Sequence, residues 1–125
     1  MRVDAIVRQD TAYTFHLPAV PRTLKLASRD AVPAEFGIAR DERPLGVAFR
    51  SVAFRQGTRF TVWKARDERF IDGFHRYEED GNLRWTAGLA SLPVEALSGF
   101  SGAVEVVVLL AATSQYLDDG RYMAA

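Results

Sequence analysis

The stretch Leu45–Gly57, LGVAFRSVAFRQG, contains Val-Ala-Phe-Arg twice, at 47–50 and at 52–55. Side chains along a β-strand alternate between its two faces. The copies begin five residues apart, an odd spacing, so a straight strand would send Phe49 and Phe54 to opposite faces. A bulge or bend near Arg50–Ser51 inserts the extra residue that lets both rings face one core. A repeat of four residues is too short to record an ancestral duplication. The stretch predicts one long, bent strand that ends in a hairpin turn at Gln56–Gly57.

The same alternation runs outward from this strand. In YTFHLP, Tyr13, Phe15 and Leu17 share a face while Thr14 and His16 share the other. In TLKLAS, Leu24 and Leu26 alternate with Thr23, Lys25 and Ala27, and RFTVWK sets Phe60 and Val62 opposite Thr61 and Trp63. VDAIVRQ reads as a weaker strand at an edge. AVEVVVLLAAT, residues 103–113, is apolar on both faces after Glu105, which predicts a central strand covered on both sides. Pro18 and Pro21, Asp80-Gly81-Asn82 and Ser98-Gly99-Phe100-Ser101-Gly102 supply turns. Residues 28–44 have no period, and LPVEAL, 92–97, predicts a single helical turn. About eight short strands with turns roughly every 8–12 residues predict an all-β fold, an antiparallel two-sheet β-sandwich of jelly-roll type.

The totals agree with a single domain spanning residues 1–125. A chain of this length buries roughly two-thirds of its unfolded surface. With 48% hydrophobic residues, the core needs no help from disulfides or metal, and there is no Cys to provide either staple or thiolate. Sixteen basic and sixteen acidic residues cancel, which excludes a general electrostatic grip on nucleic acid. Only Lys25 and Lys64 are lysines, so Arg, with its planar fork, supplies nearly all the positive charge. MRVDAIVRQDTAYTF lacks the apolar run of a signal peptide, since Asp4 and Asp10 interrupt it. No stretch approaches the ~18 apolar residues of a membrane helix. The expectation is a protein without membrane insertion, cytoplasmic or exported by a signal-peptide-independent route.

Rare residues crowd into DGFHRYEEDGNLRWT, 72–86. Metal binding gets little support there: His16 and His75 are far apart, and no Asp-x-Asp-x-Asp-Gly loop accompanies Asp72, Glu79, Asp80 or Asp118-Asp119. No cofactor is expected either, because no phosphate-binding Gly loop is present, and no Gly-x-Ser-x-Gly elbow marks a catalytic serine. Alternation in LRWTAGLAS groups Leu83, Trp85, Ala87 and Leu89, so Trp85 is expected in the core. Arg84 then faces solvent, where it reaches Glu78 or Glu79 across the turn in a pair contributing ~0.2–1 kcal/mol. Against that structural reading stands a binding one. Rings beside charged groups form an apolar plate with a hydrogen-bonding rim, and the candidates are His75, Tyr77, Glu78, Arg84 and Trp63.

PLGVAF at 44–49, GFHRYE at 73–78, RWT at 84–86 and ASLP at 90–93, followed by VEVVVLLAATSQY ending at Tyr116, carry a resemblance. In this order they resemble the small all-β regions found with Hint-type (Hedgehog/intein-like) proteins and some glycosyltransferases of alphaproteobacteria. The resemblance covers roughly residues 24–117. It implies a β-sandwich accessory domain associated with carbohydrate or the cell envelope, and it brings no catalytic residues with it. The leading expectation is a non-catalytic domain that binds a carbohydrate or protein partner. A second is a structural module that forms a homodimer through VDAIVRQ. A third is a hydrolase using Glu78 or Glu79, which requires two carboxylates ~5–10 Å apart in a pocket.

Overall fold

The computed structural model describes residues 3–28 and 46–111. The aperiodic run 29–45, the end of the resemblance beyond residue 111 and Asp118-Asp119 lie outside the described residues. Among the described residues eight strands occur in chain order: β1 Val7–Gln9, β2 Ala12–Leu17, β3 Leu24–Ala27, β4 Ala48–Gln56, β5 Arg59–Lys64, β6 Arg84–Trp85, β7 Leu89–Leu92 and β8 Val104–Leu110. A 3₁₀ turn over Val94–Leu97 is where the single helical turn was expected. All pairing is antiparallel, in one sheet of six strands and one of two. No helix among the described residues is long and apolar enough to cross a membrane.

In the larger sheet β8 is central, with β2 on one side and β4 on the other. β1 continues past β2 and forms one edge, as VDAIVRQ suggested. The far side of β4 is divided between two partners: β6 pairs with Ala48–Phe49, and β5 pairs with Ser51–Gln56. The division falls on an irregularity. Against β8 the register shifts between Phe49, opposite Leu110, and Ser51, opposite Leu109. The expected bulge is therefore present, and Phe49 and Phe54 are both 0% exposed. The Arg50 carbonyl at the bulge accepts the Ala65 N–H (2.9 Å), which anchors the chain as it leaves β5.

One face of the large sheet is the core. Tyr13, Phe15 and Leu17 of β2, Val104, Val106, Val108 and Leu110 of β8, and Phe49, Val52 and Phe54 of β4 line it. Leu26 of β3, Leu92 of β7, Leu97 of the 3₁₀ turn, Phe100 and Phe70 belong to the same buried cluster. Phe49, Phe70 and Phe74 form a triangle of tilted rings with centroids 4.9, 5.3 and 5.1 Å apart. Edge-to-face pairs at such distances add about 0.5–1.5 kcal/mol each beyond their burial.

Two expectations are corrected. β8 alternates, with Val104, Val106, Val108 and Leu110 buried and Glu105, Val107 and Leu109 half-buried, so it is central without being equally covered on both faces. The Trp85 parity is also reversed. β6 pairs Arg84 with Phe49 and Trp85 with Ala48, so Arg84 shares the core-facing side of Phe49. Trp85 is only half-buried, Thr86 is fully buried, and Leu89 is exposed. The partner strand sets the register here and overrides the local apolar alternation.

Candidate functional site

Trp63 pairs with Val52, which places it on the core side of the edge strand β5. Its ring is half-buried and meets Phe70 edge-on, centroids 6.4 Å apart. Beyond Lys64 the chain turns at Ala65, Arg66 and Asp67 before Phe70 plugs into the core. Asp67 organises this turn: its carboxylate accepts from the Arg69 N–H (3.0 Å), from Arg69 Nε (3.1 Å) and from Arg69 Nη2 (3.0 Å). Arg69 is thereby carried over the Trp63 ring, its guanidinium carbon 3.9 Å from the centroid. The result is an open cleft of about 260 Å³ lined by Val62, Trp63, Lys64, Arg66, Asp67 and Arg69.

Arg84 supports this turn from behind. Its Nε donates to the carbonyl of Ala65, Nη2 to the carbonyl of Asp67 (3.1 Å) and Nη1 to the carbonyl of His75 (3.2 Å). The Tyr77 ring lies 5.8 Å from the guanidinium. The expected Arg84 pair with Glu78 or Glu79 on a solvent face is thus replaced by three main-chain acceptors. The reason is the Phe49–Arg84 register, which turns the side chain inward, where unpaired carbonyls need donors. Burial lowers the Arg84 pKa, partly opposed by the charges of Asp67 and Glu68. The Asp67 carboxyl is held below its ordinary value of 3.8, first by the hydrogen bond from the Arg69 side chain and then by that from its N–H. The same hydrogen bond raises the Arg69 pKa.

The remaining candidates sit on the ribbon that packs beside β6. His75 N–H donates to the Trp85 carbonyl (2.8 Å), and Glu78 and Leu83 exchange main-chain hydrogen bonds (2.9 and 3.3 Å). Asp80-Gly81-Asn82 makes the expected turn, with Asn82 at φ 52° and its N–H donating to the Glu79 carbonyl (3.2 Å). Tyr77 OH donates to Asn82 Oδ1 (2.6 Å). Tyr77, His75 and Arg84 are therefore brought together, while Trp63 stands in the cleft on the other side of the 65–67 turn. Arg84 links the two groups, but its donors point to carbonyls and not into the cleft. Glu79 and Asp80 are exposed at the turn. Among the described residues no group of three or more His, Asp or Glu is arranged to hold a metal ion.

Sequence reading missed Lys64, Arg66, Asp67 and Arg69. The signal was the dense charge of KARDER, 64–69, directly after the strand-end Trp63. A ring, an anchored Arg and two further cations around an open cleft supply stacking and hydrogen bonding, the chemistry of recognition. No family model matches the chain, and neither a curated protein nor a solved structure matches it.

Proposed function

We propose that the chain is a non-catalytic binding module that holds a saccharide in the Trp63 cleft. The observation that carries this reading is the half-buried Trp63 ring in an open cleft rimmed by Lys64, Arg66, Asp67 and Arg69. An apolar plate with a hydrogen-bonding rim suits a sugar, which offers C–H groups on one face and hydroxyls at its edge. Arg69, held by Asp67, lies over the ring with its side chain 51% exposed, and it forms one wall of the cleft that the sugar enters. Among the original candidates, Trp63 is the platform. Arg84 holds the turn behind it, while His75, Tyr77 and Glu78 belong to the neighbouring ribbon.

The arrangement of a six-stranded and a two-stranded sheet is read as an unequal, jelly-roll-like sandwich, an architecture also used by lectin domains. The resemblance to Hint-associated and transferase-associated regions supports an accessory role with carbohydrate or at the cell envelope. Titration calorimetry with neutral and acidic oligosaccharides tests the reading. Binding is expected to fall about tenfold in Trp63→Ala, the loss of one good stacking contact. Absence of binding by every oligosaccharide at millimolar concentration would overturn it.

A homodimer is the second reading, favoured by the edge strand β1 and by Ile6 and Val7, which are 62% and 50% exposed. Sedimentation as a concentration-independent monomer would remove it. The carboxylate-hydrolase reading has less support, because among the described residues neither Glu78 nor Glu79 lines the Trp63 cleft, and Asp67, which does, is engaged by Arg69.

A further inference from the structure

We infer that the saccharide suited to the Trp63 cleft is anionic, with its sugar ring on Trp63 and a carboxylate held between Lys64 and Arg66. This rests on the binding reading above and names the ligand class for the same cleft. The argument is one of local charge. Among the described residues Asp67 is the single acid lining the cleft, and its carboxylate is closed by Arg69 through both oxygens. Lys64 and Arg66 remain. Both are exposed, both line the cleft, and neither side chain has a hydrogen bond or ion pair among the described residues.

The chain as a whole is neutral, so these two charges are a local surplus at an aromatic platform and not part of a general positive field. The size of the cleft agrees. At about 260 Å³ it lies below the ~300–1,000 Å³ of sites that enclose a drug-sized ligand, which fits one ring with its charged substituent. Arg66 brings a fork that takes a carboxylate through two oxygens, and Lys64 brings a point charge. A neutral sugar would leave both without a partner.

The test compares trigalacturonate with its neutral methyl ester, using calorimetry and the NMR signal of the Trp63 indole N–H, assigned with Trp63→Phe. The acid is expected to bind about tenfold more tightly than the ester, with affinity falling as salt rises. The double variant Lys64→Gln, Arg66→Gln is expected to abolish that preference while leaving the thermal midpoint unmoved, since both side chains are exposed. Arg66→Lys should retain part of it. Equal binding of acid and ester, with the double variant unaffected, would overturn the inference and leave the saccharide reading standing. A response to inorganic sulfate as strong as that to trigalacturonate would also overturn it, by showing a bare anion contact. If neither oligosaccharide moves the Trp63 signal, the saccharide reading falls and the inference with it.

Discussion

Arg84 illustrates how a long charged side chain becomes structural. Its aliphatic part lies on the core side of β6 while three donors close the carbonyls of Ala65, Asp67 and His75. Arg84→Ala leaves these acceptors without their donor and should cost about 2–4 kcal/mol in urea unfolding, because hydrogen bonds from a charged group are worth more than neutral ones. Arg84→Lys keeps the charge but not the fork, so it should recover only part of that loss. At Asn82 the strain is in the backbone. A φ of 52° is tolerated by Asn and Gly, so Asn82→Ala is expected to cost about 1–2 kcal/mol and Asn82→Gly less. Asp67 adds a pH dependence. Its folded pKa is depressed, so its contribution is fully present above the ordinary value of 3.8 and is lost as pH falls through the lower folded value. The difference in thermal midpoint between the protein and Asp67→Asn should therefore be open at neutral pH and close in strong acid.

At the scale of elements, β4 is the decisive strand. Its bulge keeps Phe49 and Phe54 on one face and creates the boundary where β6 hands over to β5. Removing Arg50, the inserted residue, would leave the two rings at an even spacing of four, so a straight strand would keep both on one face without the bulge. Such a deletion is expected to lower stability, because the Arg50 bonds to Ala65 and Gly81 go with it, while the transition followed by near-ultraviolet circular dichroism stays cooperative. By comparison, Phe49→Ala or Phe54→Ala should each cost about 3–5 kcal/mol and leave the transition cooperative. The bulge was legible because two identical tetrapeptides at an odd spacing demand it. The Arg84 side was not, because β6 is only two residues long and its facing depends on which residue of β4 it meets. Likewise the cleft required the Asp67–Arg69 clamp, which strand periodicity does not encode.

Across the whole molecule, the large sheet joins distant parts of the chain: β2 near the start and β4 in the middle both pair with β8 near the end of the described residues. Such nonlocal pairing predicts folding in roughly milliseconds to seconds, measurable by stopped-flow fluorescence. The opposite face of this sheet carries the exposed Phe60 and Val62 at its β5 edge. Phe60→Ser and Val62→Thr should shift stability by no more than about 0.5 kcal/mol if this face meets water, and by clearly more if a second copy covers it. By itself, the sequence determined the β class, most strand faces, the turn at Asp80-Gly81-Asn82 and the bend in β4, because alternation and turn chemistry are local properties. Only the tertiary structure decided that Arg84 points inward, that Trp85 is not a core plug and that Trp63 stands in a cationic cleft. Those outcomes depend on which strand lies alongside and in what register, and pairing is a property of two distant segments together.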